Sequence, residues 1–410
     1  MKKMLGITLG IMTALGGFVD LGQIVFTTQA GALFSYQLMW AIVLGTGAII
    51  VYMEMCGRIA VVAKEPVFAV VRTRLGMPLG LATLIASNLL NLITCAAELG
   101  GIAIVLHLLT GWPEKMVLVG ASLGFAAMVL LFRFQWIERT LGLSGLMMIV
   151  FAVSAIVLHP DWGQLAHGLL PSFQPDRKHT LLYWYFAVGI FSAMLMEYEV
   201  HFYSSGAIEE DWTTKDLGEN FMVASMGSVL GSLLTIALLA LGALVFLPRA
   251  IFPQMLSTTT MAGAFPFAKK ALVMALIGTF ACISGATVET ALSGAYNVCQ
   301  FFNLKWGKNQ PAKSVPVYTA TWVGMLVMAL LIALTGVRPL QLVDLSIIFG
   351  MVIMPLTYYP ILRVAADPAV MGRHVNSKFD TIVAFIFLAL ITAAAIAAIP
   401  LMILTHSGQP

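Results

Sequence analysis

Apolar runs of membrane-crossing length follow one another along nearly the whole chain, separated by short polar breaks. A hydrocarbon layer of ~30 Å takes roughly 20 helical residues. On that length the pattern predicts eleven spans, at 5–30, 36–57, 79–109, 115–132, 140–158, 181–207, 220–247, 269–302, 315–336, 339–362 and 379–404. The longest breaks, 159–180 and 248–267, hold Pro, Gly, Ser and Thr turn chemistry and the interfacial aromatics Trp162, Phe252 and Phe265. No break has room for a soluble domain. The expectation is a single all-α polytopic membrane domain over 1–404 with a short tail at 405–410.

Composition agrees with the pattern. The chain has 410 residues, 60% of them hydrophobic and 10% charged, and its mean hydropathy of +0.94 excludes a water-soluble fold. Lys2 and Lys3 ahead of an apolar run resemble a signal peptide. The run nevertheless continues past Asp20 without a small-residue cleavage motif, so it reads as the first span. Cys56, Cys95, Cys282 and Cys299 lie in or beside apolar segments at no metal-ligand spacing and read as small core residues. A net charge of +3 is too small for a nucleic-acid partner.

Charge does set orientation, because basic loops stay cytoplasmic during insertion. Of 22 Lys and Arg, only Lys115, Arg177, Lys178, Arg249, Lys269, Lys270 and Arg338 fall on one side of the eleven-span topology; the other fifteen share a side with the N-terminus. The N-terminus is therefore expected inside and the C-terminus outside. The inner loop with Glu209, Glu210, Asp211, Asp216 and Glu219 dissents, though acids count for little in this rule.

With no soluble domain, function is sought at the ionisable residues within the apolar runs: Asp20, Glu54, Glu98, Glu197, Glu199, Glu289 and Asp344. A central Asp costs ~2.5–3.5 kcal/mol on insertion scales, so each is a functional candidate. Asp20 would stand ~22 Å along a helix from Leu5, deep in the layer. No Lys or Arg sits at mid-span as a partner, so these acids are protonated, face water, or hold a cation; a cation path explains the set most simply. Glu54 and Asp344, near span ends, read as hydrated, and Glu98 and Glu289 have a structural, hydrogen-bonded alternative. His107, His159, His167, His179, His374 and His406 fall at span ends or in loops. His201 alone lies near the acids, as a proton carrier or a packed residue.

Four stretches carry a family resemblance. GGFVDLGQIVFTTQAGALFSYQLMW, with Gln29-Ala30-Gly31-Ala32, Tyr36 and Trp40, resembles the first-span signature of the NRAMP family of proton-coupled divalent-metal transporters. GIFSAMLMEYEVHFYSS resembles that family's sixth span, AAELGGIAIVLHLLTGWP its third and ISGATVETALSGAYNVCQFFNLKW its eighth. The resemblance implies a leucine-transporter-type fold of two inverted five-helix repeats, about 5–158 and 181–362, with an extra helix at 379–404. It also implies first and sixth helices broken at mid-membrane, where backbone carbonyls can meet an ion. By position it makes Asp20, Gln23, Ala193 through its carbonyl, and Met196 the metal ligands. This mixed set with a sulfur favours Mn²⁺ or Fe²⁺ over Mg²⁺ and Ca²⁺.

The chain departs from the family pattern in several places. Leu21 and Glu197 stand where the motif prolines would be; Gly22 can still allow a first break, whereas nothing in Met196-Glu197-Tyr198-Glu199 breaks a helix. Glu197 and Glu199 add acids beside the site, as further metal or selectivity residues. Cys95 replaces an Asp about one turn before Glu98, Tyr198 and Tyr203 replace two histidines, and the ninth span carries no charge. Either protons pass by Glu98, His201 and Glu289, with Glu199, or transport follows the metal gradient and membrane potential alone. The expectation is a secondary transporter of Mn²⁺- or Fe²⁺-like ions in the cell (cytoplasmic) membrane, with the metal and possible protons as its partners. Mg²⁺ or a small organic cation or amino acid is the alternative cargo. No cofactor is expected. Neither a nucleotide-binding loop nor a His-Glu-x-x-His signature is found, which argues against a pump or an enzyme.

Overall fold

The computed structural model describes residues 19–409 apart from Phe173 and Pro175. The start of the first expected span, with Lys2 and Lys3, lies outside the described residues. The helices are α1 (Leu21–Phe34), α2 (Met39–Val62), α3 (Val67–Thr110), α4 (Glu114–Leu131), α5 (Phe134–Gly145), α6 (Ile149–Val157), α7 (Trp162–His167), α8 (Arg177–Met194), α9 (Glu197–Glu209), α10 (Leu217–Leu241), α11 (Leu256–Ala264), α12 (Ala268–Phe301), α13 (Pro316–Leu334), α14 (Pro339–Ala365), α15 (Pro368–Met371) and α16 (Lys378–Leu404). No strand occurs among the described residues. Ten helical stretches there are long and apolar enough to cross a membrane, and α1 adds the described part of the first span. The count and places match the hydropathy pattern.

Boundaries moved where local chemistry outweighs hydropathy. The third span, expected from residue 79, begins its helix at Val67, and a kink at Gly76 (φ 74°) separates the leading segment from the span proper. Glycine tolerates that left-handed φ, and Pro78 follows it. The fifth span is α5 and α6 joined through a 3₁₀ turn at Leu146–Met148. The seventh continues past α10 as a π-helical turn, Gly242–Phe246.

Packing divides the helices into two groups. In one, α1 lies against α8 and α10, and α2 against α8, α9 and α10. In the other, α3 packs along α12, with α4 and α13 beside them. α14 rests on α3 and carries α16 on its far side. Burial follows position: 78% of the most apolar window of the α8–α9 stretch is buried, against 17% in α16 and 22% in α4, so those two helices turn their apolar side chains outward. Apolar surface of that extent is stable only in lipid.

Glu54 departs from its expected reading as a hydrated acid. Arg58, one turn on, grips it with Nε and Nη2 at 2.8 and 2.9 Å. The same guanidinium donates to His374 O at 2.6 Å and Asn376 Oδ1 at 2.5 Å. The fork thereby ties the end of α2 to the connection before α16. Where α9 finishes, Lys308 Nζ lies 4.6 Å from the ring centroids of both Phe134 and Phe202. Glu209 Oε1 accepts from Tyr296 OH and from the Lys308 backbone N–H. The four cysteines are buried and none forms a disulfide.

α1 and α10 meet backbone to backbone. A Cβ on Gly31 would stand 2.1 Å from Leu239 O, and one on Gly242 would stand 2.2 Å from Thr28 O. Gly120 and Gly124 on α4 have nothing within 4 Å. Gly31→Ala is therefore expected to cost ~1–3 kcal/mol by overpacking and to lower the thermal unfolding temperature in detergent. Gly120→Ala, measured in parallel, should leave it unchanged.

Candidate functional site

Two helices start afresh deep in the bundle, and the site lies where they do. α1 begins at Leu21 with Asp20 as its N-cap, extended at φ −95° and ψ 177°. Asp20 Oδ1 accepts the Gln23 N–H at 2.8 Å. A helix start leaves several N–H groups without an intrahelical acceptor, and within an apolar layer water is not there to take them. The Leu21 N–H is taken by Glu98 Oε1 of α3 at 3.0 Å. Glu98 thus caps α1 from 77 residues away, a structural role added to its expected place in a proton path. Gly22 is not the breaking residue: it is helical, and its missing Cβ leaves room for Asp20 Oδ1, 3.1 Å from where a Cβ would be.

The sixth span breaks, without a proline. α8 ends at Met194, Leu195 leaves the helix, Met196 adopts φ −30° and ψ 95°, and α9 begins at Glu197. Glu197 and Glu199 fill the first turn of α9. Carboxylates there face the positive end of the helix dipole, so these two acids favour a new helix start rather than continuation of the old one. Ser192 Oγ anchors the end of α8 by donating to Ile347 O of α14 at 2.5 Å.

Gln23 joins the two breaks. Its Nε2 donates to Ala193 O at 3.0 Å and reaches Met196 Sδ at 3.8 Å, while its Oε1 accepts from Thr235 Oγ1 of α10 at 3.3 Å. Tyr198 OH donates to the same sulfur at 3.5 Å. Asp20, Gln23, Ala193 and Met196 are all buried. The four expected ligands are therefore gathered, three through direct side-chain or carbonyl contact and Asp20 through the Gln23 backbone. An amide, a carbonyl and a thioether meet here, with the Asp20 carboxylate at the start of the same helix as the amide, a set of groups suited to a cation. Among the described residues no three His, Cys, Asp or Glu side chains converge on a metal position.

The remaining candidates are distributed around this point. Glu197 turns toward α3, where Ser87 Oγ donates to its Oε1 at 2.6 Å, and His201 Nε2 stands 3.6 Å from that oxygen. His201 is buried edge-on to Phe68. Glu199 is buried with Oε2 unpartnered. Glu289 is half-buried on α12, one turn before Ser293, whose Oγ donates to Tyr198 O at 2.9 Å. No contact among the described residues ties Glu197 or Glu289 to Gln23. Thr235 and Ser87 were not singled out from sequence, and Tyr198 was named only as standing in place of a family histidine. The only signal was a lone hydroxyl in an apolar run, and such hydroxyls commonly bond the carbonyl one turn back, as Thr235 also does to Gly231 O at 2.9 Å.

The helix-start capping has a testable consequence. Glu98→Gln keeps an oxygen for the Leu21 N–H and should unfold at the native temperature; Glu98→Ala leaves that buried N–H unpaired and should cost ~1–3 kcal/mol. Equal melting curves for the two variants would rule the cap out.

Comparison with known proteins places this geometry. The family model described as natural resistance-associated macrophage protein-like (Nramp) matches residues 10–400. The divalent metal cation transporter MntH of Bacillus subtilis is 22% identical over 389 residues, covering 92% of this chain and 87% of its own length. A crystal structure of the Eremococcus coleocola manganese transporter, bound to an aromatic bis-isothiourea compound, superposes with a TM-score of 0.77 at 19% identity, over 94% of this chain and 84% of that one. Mhp1, a nucleobase-cation-symport-1 family transporter in a closed conformation, shares the fold at a TM-score of 0.58 and 15% identity, over 98% of this chain and 92% of its own.

Proposed function

The chain belongs to the Nramp family, and from that premise and the donor set we propose that it is a secondary transporter of divalent metal ions, with Mn²⁺- or Fe²⁺-like cargo. The observation that carries the reading is Gln23, whose amide meets Ala193 O and Met196 Sδ and so joins the start of α1 to the break between α8 and α9. Asp20 supplies the charge, Gln23 and Ala193 supply oxygen, and Met196 supplies a sulfur that hard Mg²⁺ and Ca²⁺ do not favour. Relatives named as divalent metal cation and manganese transporters support the cargo. Alternating access is part of the proposal: rocking of α1, α2 and α8–α10 against α3, α4, α12 and α13, which meet where α9 packs on α12, would expose the site to each side in turn.

We place the protein in the cell membrane with the N-terminus cytoplasmic and the C-terminus external, on the distribution of Lys and Arg. The first repeat runs about 5–158, the second about 181–362, and α16 is an addition. Proton coupling is part of the proposal, by Glu98, His201 and Glu289. Glu98 is joined to the start of α1 through the Leu21 N–H, while Glu197 with Ser87 and His201 forms a second polar station on the α3 side.

Isothermal titration with Mn²⁺, Mg²⁺ and Ca²⁺ tests the site. Saturable Mn²⁺ binding is expected in the native chain and is expected to vanish in Asp20→Ala; Met196→Leu should weaken Mn²⁺ more than Mg²⁺ or Ca²⁺. Binding of Mg²⁺ alone would reassign the cargo to a harder ion, and no binding of any of the three would leave an organic cation or amino acid as the better reading. In sealed vesicles, Mn²⁺ uptake should acidify the lumen, and Glu98→Gln should uncouple the two fluxes.

A further inference from the structure

Gln23 is fully buried and its amide is held at both ends. Its orientation is dictated by its neighbours. The Ala193 carbonyl can only accept, so the amide NH₂ must face it; turned over, Gln23 Oε1 and Ala193 O would be two bare oxygens aimed at each other. A cation between them reverses the preference. Two carbonyl oxygens then converge on positive charge, and an NH₂ in that place would repel the ion and occupy the electron pairs of Ala193 O and Met196 Sδ that it needs. For Gln23 to act as a ligand, the amide has to turn about its last torsion, which is soft for an sp³–sp² bond.

Turning sends the NH₂ toward Thr235, and the surroundings of that hydroxyl are suited to receive it. Thr235 Oγ1 lies 3.3 Å from Gln23 Oε1 and 2.9 Å from Gly231 O on its own helix. A hydroxyl has one proton and two acceptor sites. In the arrangement observed its one proton has two acceptors in reach, Gln23 Oε1 at 3.3 Å and the nearer Gly231 O at 2.9 Å. With the amide turned, it donates to Gly231 O and accepts the Gln23 N–H, so no buried polar group is stranded in either arrangement. A valine of the same shape could do neither.

Resting on the reading of this place as a metal site, we propose that Thr235 is a positioning residue for the cargo: by acting as donor in one arrangement and acceptor in the other, it lets the Gln23 amide exchange places with the ion. The NH₂ then serves as stand-in for the cation. As the ion leaves, the amide returns to Ala193 O and Met196 Sδ, and the broken end of α8 is not left with a bare carbonyl inside the bundle. Loading and release become an exchange between two satisfied networks, which keeps binding reversible.

The test is Mn²⁺ titration of the full-length purified chain as the native form, Thr235→Val, Thr235→Ser, Gln23→Glu and the Gln23→Glu/Thr235→Val double variant, with Asp20→Ala alongside. The metal-free unfolding temperature of each is also measured. Thr235→Val strands Gln23 Oε1 without metal and the amide N–H with it; an unpaired buried N–H is the less tolerated of the two, so Mn²⁺ binding should weaken and the metal-free unfolding temperature should fall, and Thr235→Ser should restore both. In the Gln23→Glu background the valine should have no effect on affinity, because a carboxylate has no N–H to place on Thr235. Thr235→Ala carries the same expectation should the valine variant fail to fold. Native-like affinity in Thr235→Val, with Asp20→Ala inactive, overturns the role of Thr235 while leaving the metal site standing. Serine as weak as valine, or an undiminished valine effect in the Gln23→Glu background, reduces Thr235 to packing and overturns it too. No Mn²⁺ binding by the native chain removes the metal reading and this inference together.

Discussion

A helix that stops inside a membrane releases backbone N–H and C=O groups into a medium that cannot solvate them. This chain starts one helix at Leu21 and stops another at Met194 before restarting at Glu197, and much of its interior is arranged around the groups so released. Asp20 takes one N–H, Glu98 another, and Gln23 takes the Ala193 carbonyl. The Asp20 bond is local, but the Glu98 and Gln23 bonds span 77 and 170 positions, so these groups stay satisfied only while α1, α3 and α8 are packed together. The same dependence makes the site sensitive to how those helices are placed.

Close packing follows from that need. The reach of a glutamine amide from α1 to Ala193 requires α1 to lie hard against α8 and α10, and the glycines at Gly31 and Gly242 bring two backbones into contact there. Elsewhere the chain can be loose: α4 and α16 have mostly lipid-facing surface. Tight contact is spent on the helices that hold the site, and the periphery serves as a belt around them.

The sixth-span break shows how a motif can change and its geometry survive. Glu197 stands where the resemblance places a proline, yet the helix still restarts there. Proline starts a helix by lacking an N–H and fixing φ; an acid in the first turn starts one electrostatically. The substitution also costs something, because Glu197 is a buried carboxyl and needs Ser87 beside it. A hydroxyl in α3 is thus explained by a missing proline in the sixth span.

Hydropathy alone determined that the protein is an all-helical membrane bundle and where its spans lie, because burial in lipid acts on composition over twenty residues at a time. It also exposed Asp20, since one acid in a long apolar run is costly wherever it points. The proposed metal-ligand set was legible only through family likeness, because a carbonyl such as that of Ala193 leaves no mark in a side-chain pattern. What only the tertiary structure decided is which groups meet: that Glu98 caps α1, that Arg58 neutralises Glu54 while holding the connection before α16, that Gly22 makes room for Asp20, and that Thr235 stands behind Gln23. Those pairings depend on distances between residues up to hundreds of positions apart, and a hydrogen bond is satisfied or lost over about an ångström, a length that the order of residues along one chain does not specify.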